Sequence, residues 1–108
     1  MQIQLQAFAR KAAISLRRAI ADDLGRRGHD VLFLRQDRSP GRNPGWSKIA
    51  GRGLPGALNI EWDADAQMLH VRAITRGGNT PRRLLAAFAA YLIERHGKRI
   101  ASINVQLR

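Results

Sequence analysis

Apolar residues recur at helical spacing near the start of the chain. Leu5, Ala9, Ala12, Leu16, Ala19 or Ile20, and Leu24 line one side, while Arg10, Lys11, Arg17 and Arg18 fall elsewhere. This predicts an amphipathic helix over roughly 5–27. Gly25 and Gly28 serve as stop signals, and Arg26 and Arg27 suit the negative end of the helix dipole. The opening Gln2-Ile3-Gln4-Leu5-Gln6 alternates instead, so a short N-terminal strand is the competing reading. The helix propensity of Gln and the place of Leu5 on the apolar stripe favour the helix.

Val31-Leu32-Phe33-Leu34 is an apolar run of strand length. Residues 37–56, DRSPGRNPGWSKIAGRGLPG, then lose all periodicity and carry five Gly and three Pro, which predicts a long loop of the kind that usually has a function. Alternation returns in Leu58, Ile60 and Trp62, and again in Leu69, Val71 and Ala73. Asp63–Gln67 is the hairpin turn between them. After a second turn, Arg76-Gly77-Gly78-Asn79, Thr80 fits an N-cap and Pro81 a first helical position. A helix follows to about His96, with Leu84, Leu85, Phe88, Tyr91 and Leu92 as its buried stripe and Gly97 as its stop. Ile100, Ile103, Val105 and Leu107 suggest a last strand.

The expected architecture is one α+β domain over 1–108, a sandwich with two helices packed on one face of a mainly antiparallel sheet. Its order is α-β-(long loop)-β-β-α-β, or a split βαβ arrangement if the Gln-rich start is a strand. The run helix–strand–strand–strand–helix resembles the double-stranded-RNA-binding fold and the small ribonuclease toxins built on it. That resemblance implies phosphate contacts at the start of the last helix, the place of Arg76 to Arg83 here.

Charge changes the picture more than size does. Nineteen Lys and Arg against eight Asp and Glu give +11, a balance that in a soluble protein points first to nucleic acid. Cysteine is absent, which excludes disulfides, thiolate metal sites and a thiol nucleophile. The longest apolar run, Leu84 to Ile93, is half the length a bilayer span needs, so a soluble, cytoplasmic protein without membrane contact is expected.

Two places gather candidate phosphate ligands. At the second helix, Arg82 and Arg83 follow Pro81 directly, with Arg76 upstream, although the positive end of a helix dipole disfavours cations by about 0.3–1 kcal/mol each. An expected anion would reconcile them with that position, and Gly77 and Gly78 would let the backbone approach it. In the long loop, Arg38, Arg42, Lys48 and Arg52 are spaced to follow a phosphate backbone, with Trp46 either stacking on a base or plugging the core. Gly51–Gly56 spells G-x-G-x-x-G, but Pro55 precedes a strand-like run, nothing helical follows and no βαβ unit surrounds it, so it is not a dinucleotide site.

The expectation is a nucleic-acid-binding protein, DNA slightly ahead of RNA, with little sequence preference and no cofactor or metal. The first alternative is a small phosphodiesterase using Glu61 and Asp63, which share a strand face, or one of His29, His70 and His96. The second is an interaction module or homodimer that pairs through the strand Ile100–Leu107.

Overall fold

The computed structural model describes residues 3–37, 41, 44–74 and 81–107. Among these residues, six strands and two helices make it α+β. Strand β1 (Gln4–Ala9) leads to α1 (Leu16–Asp22), and a π-helical turn, Asp23–Arg27, extends that helix. Then come β2 (Leu32–Gln36), β3 (Trp46–Gly51), β4 (Leu54–Asp63), β5 (Met68–Ile74), α2 (Arg82–His96), a 3₁₀ turn, Gly97–Arg99, and β6 (Ile100–Gln106). The sheet order is β2-β3-β4-β5-β1-β6, and every neighbouring pair is antiparallel.

Two sequence expectations need correction. The N-terminal residues form a strand, not the first turns of a helix: Leu5 and Ala7 point into the core from β1, with Gln4 and Gln6 on the other side. The helix proper starts only after Ser15, whose hydroxyl accepts a 3.1 Å bond from the Arg18 N–H. In addition, the Gly/Pro-rich stretch is not one long loop. It contains all of β3 and the first residues of β4, so four strands, not three, separate the helices and the double-stranded-RNA-binding order does not hold.

The helix ends follow local rules. At the π turn, the Gly28 N–H reaches the Asp23 carbonyl five residues back at 2.9 Å, and Gly28 takes φ +77°, which a side chain would resist. Helix α2 begins at Arg82, with Pro81 rather than Thr80 in the capping position. The Pro81 carbonyl accepts the first intrahelical bond, from the Leu85 N–H. Thr80 lies outside the described residues.

One core joins the layers. Leu16, Ile20 and Leu24 from the first helix and its π turn, together with Leu84, Leu85, Phe88, Tyr91 and Leu92 from α2, pack with Leu5, Ala7, Ile49, Leu58, Ile60, Leu69 and Val71 of the sheet. These strand residues share one face by alternation. The polar exception on that face is Ser47, fully buried. Its hydroxyl accepts from Arg17 Nη1 at 2.9 Å and lies 2.9 Å from the Asp37 carbonyl oxygen, to which it donates.

Candidate nucleic-acid interface

The first turn of α2 crosses directly over the β3–β4 hairpin. A Cβ placed on Gly51 would sit 2.9 Å from Leu84 Cδ1. One on Gly56, at φ +92°, would sit 2.9 Å from Pro81 Cβ and 3.0 Å from the Ile74 carbonyl oxygen. Glycine at these two positions lets the helix start settle on the hairpin. Arg82 and Arg83 are exposed there, and neither is paired with a carboxylate among the described residues. Among the described residues no side chain caps the helix and no acid occupies its first turn, and its leading N–H groups, as at any helix start, have no intrahelical acceptors. Arg52, in the hairpin turn, is exposed. Its Nη1 donates to the His29 and Asp30 carbonyls at 2.8 and 3.4 Å, and its guanidinium lies 5.3 Å from the Phe33 ring centroid.

The remaining expected ligands separate. Lys48 projects from the opposite side of the sheet, its ammonium 5.9 Å from the Trp46 ring centroid. Trp46 is 1 % exposed, so its ring is held inside the protein rather than presented for stacking. Arg38, Arg42, Arg76, Gly77 and Gly78 lie outside the described residues.

Charge is also distributed along the sheet. Strand β4 runs for ten residues, about 30 Å. The hairpin turn with Arg52 and the α2 start lie at one end, and Asp63 and Asp65 at the other, where Asp63 Oδ1 accepts from the Asp65 and Ala66 N–H groups. Several other arginines are tied to backbone carbonyls, which fixes their guanidinium groups in place without cancelling their charge. Arg10 donates to the Lys98 and Ile100 carbonyls, Arg99 to those of Ile14 and Ser15, and Arg95 to that of Gly28.

The side of the sheet away from the helical core is polar. Register aligns Lys48, Asn59, Arg72, Gln4 and Gln106 in one row across five strands, and the buried Trp46 with Glu61, His70, Gln6 and Asn104 in the next. Side chains in these rows are already linked: Gln4 Nε2 donates to Gln106 Oε1 at 2.6 Å, and Gln4 Oε1 lies 3.2 Å from His70 Nε2. Since an amide oxygen only accepts, His70 carries its proton on Nε2 in this contact. A groove of about 410 Å³ opens on the same side, lined by residues that include Asn59, Glu61, Asp63, Met68, His70 and Arg72. Glu61 and Asp63 thus meet His70 here, but His29 and His96 lie elsewhere. Among the described residues no three His, Asp or Glu stand close enough together to hold a metal ion.

His96 belongs to a buried network that periodicity cannot reveal. The Tyr91 hydroxyl donates to Asp23 Oδ2 at 2.6 Å and lies 2.9 Å from His96 Nε2, and Arg95 Nη1 reaches the same Asp23 oxygen at 3.0 Å. Burial works against the Asp23 carboxylate. The hydrogen bonds from Tyr91 and Arg95 and the Arg95 charge outweigh it and hold the pKa below its ordinary 3.8. Burial, then the Asp23 hydrogen bond and charge, push Tyr91 far above its ordinary 10.0. Burial also pushes His96 below 6.5, with Asp23 opposing and Arg99 and Arg95 assisting. The proton order is accordingly His96 Nε2–H to Tyr91 O–H to Asp23. The His29 ring packs edge-on to Tyr91, and its Nδ1 accepts from the Val31 and Leu32 N–H groups. These groups bind the π turn to α2 and start β2, which is a structural role.

Comparisons of the chain with protein-family models, with curated proteins and with solved structures return no match. No described helix is long and apolar enough to cross a membrane.

Proposed function

We propose that this protein binds nucleic acid through phosphate contacts at the α2 start and the adjoining β3–β4 turn, with DNA slightly ahead of RNA and little sequence preference. The carrying observation is the exposed Arg82–Arg83 pair, without a carboxylate partner among the described residues, at a helix start that no described side chain caps, seated on a hairpin that adds Arg52. A net charge of +11 supports the same partner class. Neutralising about six phosphates on duplex DNA predicts a slope of log affinity against log salt near −5. Titration of labelled DNA and RNA at several salt concentrations tests this, with Arg82→Ala/Arg83→Ala as the variant. Two lost phosphate contacts should weaken binding and make the slope shallower by about 2. Unchanged affinity and slope would refute the assignment of these residues.

A second reading is favoured by the meeting of Glu61, Asp63, His70 and Arg72 around one groove. Under it, the same protein cleaves the phosphodiester chain it binds, with His70 as acid or base. Product formation from labelled RNA or DNA, with and without Mg²⁺, that disappears in Glu61→Ala or His70→Ala would establish it.

The β6 edge supports pairing of two copies. No charged residue interrupts 100–107, Val105 and Leu107 are exposed, and the strand's outer side is unpaired in the sheet order. A single monomer mass across a wide concentration range would exclude it.

A further inference from the structure

We infer that the polar side of the sheet is a surface for single-stranded nucleic acid, so that the protein prefers unpaired strands to duplexes. This rests on the nucleic-acid reading above and names its substrate class.

The inference starts from register. Three successive rows cross this side, each two residues, or about 7 Å, further along the strands. The first places two cations, Lys48 and Arg72, either side of Asn59. The second begins at the buried Trp46 on β3 and from β4 onward offers donors and acceptors of both kinds: Glu61, His70, Gln6 and Asn104. The third sets Met68 between Asp63 and Phe8, and Phe8 is 37 % exposed although it is a large apolar side chain. Cations for phosphate, amides and a carboxylate for base edges, and an apolar pair for base faces therefore follow one another in that order. A nucleotide presents its own parts in the same sequence from backbone to base.

Size decides between paired and unpaired strands. From β3 to β6 the first row spans four strand spacings, about 19 Å. The major groove of a DNA duplex is about 12 Å wide, so this side cannot enter it to reach base edges. Unpaired bases can lie flat on the sheet, and their hydrogen-bonding edges are not already consumed. The surface is also partly pre-ordered, because Gln4 links His70 to Gln106 across three strands. Glu61 and Asp63 occupy the end of the groove away from Lys48 and Arg72. Their charge directs phosphates toward the first row and leaves base amino groups for the second.

Fluorescence anisotropy of labelled mixed-sequence 20-mers tests the inference, using single-stranded DNA, single-stranded RNA and both matching duplexes at two salt concentrations. The expected result is single-strand affinity at least about tenfold above duplex affinity at equal salt. Phe8→Ala and Arg72→Ala, both at exposed positions, should each reduce single-strand binding about five- to tenfold and leave duplex binding within about twofold. Asn104→Ala serves as a third variant, and thermal melts confirm that each one folds. Equal affinity for single strands and duplexes, or folded Phe8 and Arg72 variants with unchanged single-strand affinity, would overturn the inference while leaving phosphate binding at α2 intact. Failure of the wild-type chain to retain any of the four probes at low salt would instead overturn the nucleic-acid reading itself, and this inference with it.

Discussion

Tyr91 donates a 2.6 Å hydrogen bond to Asp23, joining the middle of α2 to the first residue of the π turn across a separation of 68 residues. The bond ends a relay from His96, and Arg95 closes it from the side. Removing the phenol hydroxyl deletes the donor to Asp23 and the acceptor of His96 together. Tyr91→Phe should cost about 1–2 kcal/mol in denaturant unfolding, with little change in the packing of the ring.

The same three groups set a pH window for stability. Asp23 and His96 both have folded pKa values below their ordinary 3.8 and 6.5, so their contributions are complete above those values and are lost as pH falls. Tyr91 is raised above 10.0, so its contribution is complete below that value and is lost as pH rises. Thermal stability should therefore be greatest between 6.5 and 10.0 as far as this network governs it. Melts across pH check this, and Tyr91→Phe should make the alkaline decline shallower.

Arg17 and Asp37 form an unequal pair 3.1 Å apart, with side chains 7 % and 44 % exposed. Loss of Arg17 leaves a carboxylate that water can solvate. Loss of Asp37 leaves a buried guanidinium whose remaining hydrogen-bond partner among the described residues is Ser47. Asp37→Ala should cost about 2–3 kcal/mol through that uncompensated charge. A double-mutant cycle should show that Asp37→Ala is much less harmful once Arg17 is replaced by Met.

Gly53 and Gly56 both have positive φ, yet their surroundings differ. A Cβ at Gly53 meets open space, whereas one at Gly56 collides with Pro81 and the Ile74 carbonyl. Gly53→Ala should cost roughly 1 kcal/mol from backbone strain alone, and Gly56→Ala at least about 2–3 kcal/mol because the α2 start must move. Gly56→Ala should also weaken nucleic-acid binding more than Gly53→Ala, which separates a displaced helix start from a strained turn.

Arg82 and Arg83 oppose the α2 dipole, so their removal has opposite expected signs for folding and for binding. Arg82→Ala/Arg83→Ala should raise stability by roughly 0.5–1 kcal/mol while lowering nucleic-acid affinity. Unfolding curves and binding titrations on the same variant check both signs. A loss of stability would show that these side chains serve the fold.

Strands β4, β5 and β6 and helix α2 were legible because each shows its period openly. Leu58 and Ile60, Leu69 and Val71, and the stripe from Leu84 to Leu92 all lie in the core where alternation or helical spacing put them. Strand β3 was not legible, since its core-facing residues are Ser47, Ile49 and Gly51. Ser47 can be buried only because Arg17 and Asp37 meet it, and Gly51 only because Leu84 covers it. Neither partner is near in sequence. Strand β1 misled for another reason: Leu5 and Ala9 fit helical spacing and alternation equally well, and pairing with β5 and β6 decided between them.

By itself the chain determined its charge, its lack of cysteine, the period of its strongest elements and the basic start of α2, because composition and local spacing depend only on neighbours along the backbone. Tertiary structure alone decided which arginines face water and which are taken up by carbonyls and carboxylates within the fold. It also aligned Lys48, Asn59, Arg72, Gln4 and Gln106, drawn from five strands, into one row. Such a row exists only once strand register is set, and register comes from burying the opposite side of the sheet against the helices.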